Sequence, residues 1–489
     1  MGDSGGLGES SVTHGWPALE KYIDRAPSSK EMMSWIELIV GQGIRRAGYP
    51  ADSWTEQWAA DQFRETGLED VRLEPLDTPI WRPRSATFEI WPTDRPDDIT
   101  RFSGLALPYT TPTEGTEGHL VRMEEGEVRG RIAVQEIGFT RLPQTEVQAR
   151  ATDCYDPEGV FPDLVQTVPF DLPHVLDFDI AIKNGATAYV GLLTGLPWET
   201  SDFYWPYDAE RRSIPGIWLS GQDGAKVREL MASGACEGRI VSDATITEET
   251  THNVVGTLPG ASDHWVIVGS HHDGPWASAV EDASGVALVL AQARFWASVP
   301  RELRPHNMLF VLTSGHMAGA AGTQAFIAAH PELFPDVVLE MHLEHAAREA
   351  VVVDGEVVPT DDPEVRWWFT TQAPQLEQLV AESIAAEDLR RSWILSPTAF
   401  APNPATDGAY FYYTGVPLVQ LITTPMYIFD PRDTPDKVDQ QSLVPLTMGA
   451  ARIIAGTVGC EPDTLRVPIE NAQAPTGPQA TTDAQDATG

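Results

Sequence analysis

Between residues 250 and 460 short apolar runs alternate with stretches of helical periodicity, and this alternation limits the fold of the 489-residue chain more than any other feature. HWVIVGS (264–270), NMLFVLTS (307–314), VVLEMHLEHA (337–346) and PLVQLIT (417–423) read as buried strands. SGVALVLAQARFWASV (284–299), GTQAFIAAH (322–330) and QSLVPLTMGAARIIAGTV (441–458) read as helices. Strands that alternate with helices predict an α/β fold whose mostly parallel sheet is flanked by helices on both faces.

Two amphipathic stretches, 31–43 and 52–66, precede this region. From 104 to 245 the texture changes to short strands rich in proline and turn residues, which predicts a smaller inserted β-rich domain. The expected organisation is a main domain over 15–103 and 246–462, an insert over 104–245 and a disordered polar tail over 463–489. About three domains also suits a chain of this length at roughly 150 residues per domain. With 71 acidic and 33 basic residues the formal net charge is −38, a field that repels phosphate backbones and anionic lipid. Nucleic-acid and membrane partners are therefore not expected. The cysteines Cys154, Cys236 and Cys460 are too far apart to make a disulfide framework. The first residues show neither a basic nor an apolar targeting segment, so the expected location is cytoplasmic.

In an open α/β sheet, ligands bind beyond the carboxyl ends of the strands. Those ends carry HHDGPWASAVEDASG after 264–270, GHMAG after 307–314, and HLEH at 342–345. His271 is a candidate metal ligand, with Asp273 able to orient its ring. Glu281 and Asp282 begin a helix, where they would also complement the helix dipole. By strand alternation His342 and Glu344 share a face and His345 takes the other. A Glu aimed into a closed α/β core needs a partner, and a cation is one of few that suffice.

The order HHD, EDASG, SGHMAGAAGT, the strand with Glu344, TDGAYFYYTGVP and DPRDTPDKVD resembles the dizinc aminopeptidase family, a group that includes leucyl-type bacterial aminopeptidases and relatives of glutamate carboxypeptidase. The resemblance covers 250–460, extends to the helices near 31–66, and likens 104–245 to a protease-associated insert. It implies a zinc-exopeptidase-like fold. Position by position, it places the first ligand on His271 with Asp273 as its orienting acid, the bridging acid on Glu281 and the second acid on Glu344. The paired acids of the family fall on His316 and Met317, and its late histidine falls on Phe429. One metal's ligands are therefore kept while Met317 and Phe429 cannot serve the other.

The expected function is a metal-dependent hydrolase of an amide or related bond in a small molecule or a modified amino acid or peptide. It would use one divalent ion (zinc, manganese or iron), with His316 moving the proton and Asp273 supporting the site. His271, Glu281 and Glu344 are the expected ligands, with Asp282, His272, His342 and His345 as reserve ligands or supporting groups. Trp276, Met317, Asp407, Tyr427 and Phe429 are expected to wall the pocket for a small or short peptide-like substrate, in a chain that could form a homo-oligomer. The alternatives are a metal-dependent lyase, isomerase or Fe(II) enzyme on the same fold, or a non-catalytic pseudo-peptidase binding module.

Overall fold

The computed structural model describes residues 15–400 and 406–469. All but the start of the expected tail lies outside the described residues. The fold is α/β, with fourteen strands of the described residues joined in one sheet. Its catalytic half runs in the order Cys236–Leu258, Asn307–Thr313, Trp265–His271, Val337–Leu343, Leu418–Ile422, Arg366–Thr370, Ser392–Leu395 and Ala151–Tyr155. Asn307–Thr313, Trp265–His271, Val337–Leu343 and Leu418–Ile422 are mutually parallel.

The strand Trp265–His271 shows why both faces must be covered. Val266 and Val268 enter one apolar core while Ile267 enters the other, as the two-residue period of a strand dictates. On the first face lie the helices Ser29–Val40, Pro50–Thr66, Gly285–Ser298 and Leu443–Gly456. Gly285–Ser298 is apolar around almost its whole circumference and correspondingly buried. On the second face Phe326 and Phe411, from the helices Ala321–Ala329 and Gly408–Tyr413, pack on Ile267 and Val311.

The strands Glu69–Pro92 and Cys236–Leu258 pair without a break in chain direction from Glu69 opposite Thr257 to Pro92 opposite Cys236. This ribbon begins beside the catalytic sheet and ends in the core of the insert, where Phe88, Ile90 and Ile240 are buried. The expected boundary at 245 falls within Cys236–Leu258 and that at 104 within the strand Thr100–Ala106, which pairs with Glu69–Pro92. The insert itself is built on the parallel strands Thr113–Arg122, Ile132–Gly138, Ala188–Gly195 and Gly216–Leu219. One piece of its sequence returns: Ala151–Tyr155 pairs with Ser392–Leu395 of the catalytic sheet, and Phe161 stacks on Trp393 at 4.2 Å.

A buried polar contact seals the same seam. Gln166 donates to Glu364 and to Thr424, both at 3.2 Å. Burial pushes the Glu364 carboxyl up from its ordinary 4.5 to about 7. A carboxyl raised on folding favours the native state below its ordinary pKa, and that advantage disappears as pH rises through the native value. The isosteric Glu364→Gln variant is therefore expected to be more stable than the wild type at pH 8, by up to about 3 kcal/mol. The gap should close below pH 4.5, as read by urea denaturation across that range.

Candidate metal centre

The parallel strands deliver their polar residues to one edge. Trp265–His271 ends in a histidine because the chain leaves the sheet there, and His271 is wholly buried. Its Nδ1 lies 3.0 Å from the Asp273 carbonyl oxygen, which leaves Nε2 facing inward, 3.3 Å from Glu281 Oε1. Glu281 lies in the turn Ala279–Ser284, where its neighbours aim it. Asp433 accepts hydrogen bonds from the amides of Val280 and Glu281 at 2.8 and 2.9 Å. Arg45, fully buried, donates to the carbonyls of His272, Ala277, Ser278 and Glu281.

The strand Val337–Leu343 contributes from the other side. Glu340, His342 and Glu344 share one face, and His342 spans the two acids at 2.9 and 2.7 Å. His342 thus occupies Oε1 of Glu344, to which Thr406 also donates, and leaves Oε2 free to face His345 Nε2 at 3.7 Å. Simple alternation would send His345 to the opposite face. The strand ends at Leu343, however, and His345 takes a φ of 58° that turns its ring inward. Its Nδ1 lies 2.6 Å from the Thr423 carbonyl oxygen and its Nε2 lies 2.7 Å from Glu281 Oε2.

His345 Nε2 and Glu281 Oε2 pair at 2.7 Å. Ligand atoms of His271, Glu344 and His345 lie within 4.8 Å of one another, as do those of His271, Glu281 and His316, and buried imidazoles grouped with carboxylates are a donor set that suits a cation. Burial opposes both carboxylate charges. His345 and His271 nevertheless hold the Glu281 carboxyl well below the usual range, and His342 and His271 lower Glu344. Both acids are therefore ionised and able to ligate.

His316 completes the group. Its Nδ1 lies 2.7 Å from Asp407 Oδ1 and its Nε2 is 3.7 Å from Glu281 Oε1. Its ring stacks on His271 at 4.0 Å. Asp407 also accepts from the hydroxyls of Thr313 and Thr323 at 3.1 and 2.5 Å. Against the cost of burial, His316 holds the Asp407 carboxyl far below the usual range. The ionised Asp407 fixes Nδ1–H of His316 and leaves Nε2 as the basic nitrogen.

Several residues do other work than their sequence positions suggested. Asp407 orients His316 and does not line a substrate pocket. The Asp273 carboxylate is 3.6 Å from His271 Nδ1 and instead accepts the amides of His316 and Met317 at 3.0 and 2.9 Å. Asp282 turns away: it accepts from Ser270 Oγ and from the amides of Gly285 and His345. A side chain at Gly285 would strike that carboxylate, with a Cβ 2.0 Å from Oδ2. His272 is tied to Asp52 at 2.8 Å and to the His252 carbonyl at 2.9 Å, so neither nitrogen is available. Tyr427 is buried in the main core with its hydroxyl on the carbonyls of Arg348 and Lys437. Trp276 donates to the Phe429 carbonyl at 2.9 Å and stacks against Arg46. Met317 and Phe429 are buried in the apolar cluster of the insert.

Arg45, Asp433 and Glu340 are the residues the sequence reading missed. Asp433 stands inside the DPRDTPD motif, whereas nothing in the local sequence marks the other two. Arg45 holds four carbonyls that water cannot reach, so Arg45→Ala is expected to cost at least about 3 kcal/mol in chemical denaturation. Surface arginine-to-alanine controls should change stability by less than about 0.5 kcal/mol.

Residues 253–454 match the profile of Peptidase family M28. Among solved structures, the chain is similar to a peptidase M28 precursor from Shewanella amazonensis, with a TM-score of 0.68 and 18% identity over 94% of this chain and 99% of that one. It is also similar to the zinc aminopeptidase BSAP from Bacillus subtilis, with a TM-score of 0.61 and 16% identity over 87% and 94% of the two chains. The aminopeptidase from an Aneurinibacillus species gives 0.59 and 18% over 93% and 98%. No curated protein matches the sequence.

Proposed function

We propose, from the match of residues 253–454 to Peptidase family M28 and from the site geometry, that this chain is a metallohydrolase working with a single divalent ion. The observation that carries the reading is the buried set of His271, Glu344 and His345, whose ligand atoms lie within 4.8 Å of one another, with Glu281 3.3 Å from His271 and 2.7 Å from His345. His345 was expected only in reserve. Its inward turn makes it the fourth ligand of the set.

His271, Glu281, Glu344 and His345 would hold a divalent ion, which would supply Lewis acidity toward a carbonyl and a bound water. The residues of the chain do the rest. His316, aligned by Asp407, presents Nε2 as the base that takes a proton from the attacking water and returns it to the leaving nitrogen. Asp273 keeps that imidazole in register through the amides of His316 and Met317. Asp433 and Arg45 keep Glu281 aimed inward, and His342 leaves one oxygen of Glu344 uncommitted.

A second ion has no place in this reading. Met317 and Phe429 are 1% and 4% exposed and form part of an apolar cluster with Phe203 and Tyr204. Neither side chain offers a donor for a hard or borderline cation. The substrates that suit such a centre are amides or related bonds of small molecules or modified amino acids and peptides.

Protein purified without chelator is expected to contain close to one equivalent of a transition metal by elemental analysis. In Glu344→Gln and His345→Leu the content should fall at least tenfold, with folding retained by circular dichroism. Less than a tenth of an equivalent in the wild type would contradict the reading, and so would two equivalents.

A further inference from the structure

The insert encloses a cavity of about 390 Å³, and none of His271, Glu281, Glu344, His345 and His316 lines it. Its walls are aromatic, with Phe170, Phe178, Trp205 and Trp218 among them. Phe170 meets Trp205 edge to face at 5.0 Å, and the Trp218 indole nitrogen donates to the Trp205 carbonyl at 3.0 Å, so the rings are fixed relative to one another. The exposed residues Glu210 and Arg211 belong to the same lining, so the cavity reaches solvent. A concave space of this size with apolar walls and a few polar groups is the form of a small-molecule site.

The charged groups of the lining decide which molecule suits it. Both of its arginines are already spent. Arg212, almost wholly buried, commits its N–H groups to Asp179 at 3.0 and 3.2 Å, to Asp208 at 2.7 and 2.6 Å, and to the Glu210 carbonyl at 3.2 Å. That uses every donor of the guanidinium and leaves none for an anion. Arg211 pairs with Glu248, which stands outside the lining. His174 places Nδ1 2.8 Å from Asp177. Asp171 and Glu210 remain as carboxylates of the lining with no cationic partner among the described residues. Asp171 commits one oxygen to the Gly138 amide at 2.8 Å.

Tyr189 supplies an independent observation. It is 1% exposed, lines the cavity and packs on Phe178 at 5.0 Å, yet its hydroxyl has no hydrogen-bond partner among the described residues. Burial, then the nearby Asp177 and Asp171 carboxylates, hold this phenol well above its ordinary pKa. It is therefore a neutral hydroxyl in the field of Asp171, with an oxygen free to accept. Buried polar groups are almost always paired, so this one calls for a ligand. An ammonium group answers it, because it donates to a phenol oxygen and a carboxylate and is attracted to the faces of aromatic rings. We propose that the insert holds a second binding site, separate from the metal centre, for a small organic amine with an aromatic or branched apolar body. Asp171 and the Tyr189 oxygen receive the ammonium, and Phe170, Phe178, Trp205 and Trp218 receive the body. This site needs no metal.

The test is calorimetric titration of the full chain, after dialysis against a chelator, with phenethylamine, the neutral 2-phenylethanol and the anion 3-phenylpropionate near neutral pH. Phenethylamine should bind once per chain and at least about tenfold more tightly than 2-phenylethanol, while 3-phenylpropionate should not bind. Asp171→Asn, which keeps an oxygen for the Gly138 amide, should weaken the amine at least about fivefold and leave the alcohol unchanged. Ile182→Trp, which fills the cavity, should abolish binding of both. Reloading with zinc should leave the affinity for the amine as it was. No binding of phenethylamine, an amine no tighter than the alcohol, binding of the anion, or wild-type affinity in Ile182→Trp would each overturn the proposal. So would an amine that binds only the zinc-loaded chain, which would place it at the metal centre. Should a variant fail to fold, the three ligands on the wild type, with and without zinc, still decide.

Discussion

Two glutamates buried within reach of two inward-facing imidazoles are the constraint on which the rest of this structure depends. Removing Glu281 and Glu344 from water costs several kcal/mol each unless their charge is answered nearby. The surrounding elements serve that requirement. Asp433 and Arg45 hold the turn that carries Glu281, His342 takes one oxygen of Glu344, and Thr423 fixes the tautomer of His345. Each partner satisfies one side of a ligand and leaves the other side pointing inward, which is the division of labour expected around a metal. A group so arranged is unfavourable when empty and favourable around a cation, so metal binding and folding stability are coupled here.

The neighbouring space has been put to a different use. Met317, Ile428 and Phe429 come from loops of the catalytic domain, yet they pack in the core of the insert, with Phe203, Tyr204 and Trp218. The Phe429 carbonyl is held by Tyr204 and Trp276, and the Tyr204 hydroxyl reaches the Met317 carbonyl. Apolar side chains at these two positions therefore do not merely lack donor atoms. They join the two cores, and burying them stabilises the docking of the insert by roughly 1.5–3 kcal/mol for each large side chain. On the single-ion reading proposed above, the same two apolar side chains that offer no ligand also seat the insert.

Much of this was legible in the sequence, because the signals were periodic or local. The alternation of apolar runs specified the parallel sheet, and the clustering of histidines and acids at strand ends located the centre. His271 and Glu344 stand out at their strand ends, whereas the metal role of Glu281 comes from the resemblance to the dizinc aminopeptidases. Where the reading departed from the structure, the cause was three-dimensional. His345 turns inward through one left-handed residue at the end of a strand, which alternation cannot foresee. Asp407 meets His316 across 91 positions of sequence, and Arg45 lies more than 220 residues from the loop it secures. The boundary of the insert was hidden for a further reason: Glu69–Pro92 and Cys236–Leu258 are continuous strands shared by both cores.

The most direct measurement of the central claim is anomalous X-ray scattering from crystals of the intact chain, collected on both sides of the absorption edges of zinc, manganese and iron. The account predicts one peak, within ligand distance of His271 Nε2, Glu281, Glu344 and His345 Nε2, and no density for an ion beside Met317 and Phe429. A pair of peaks, or a peak that His345 does not touch, would contradict it.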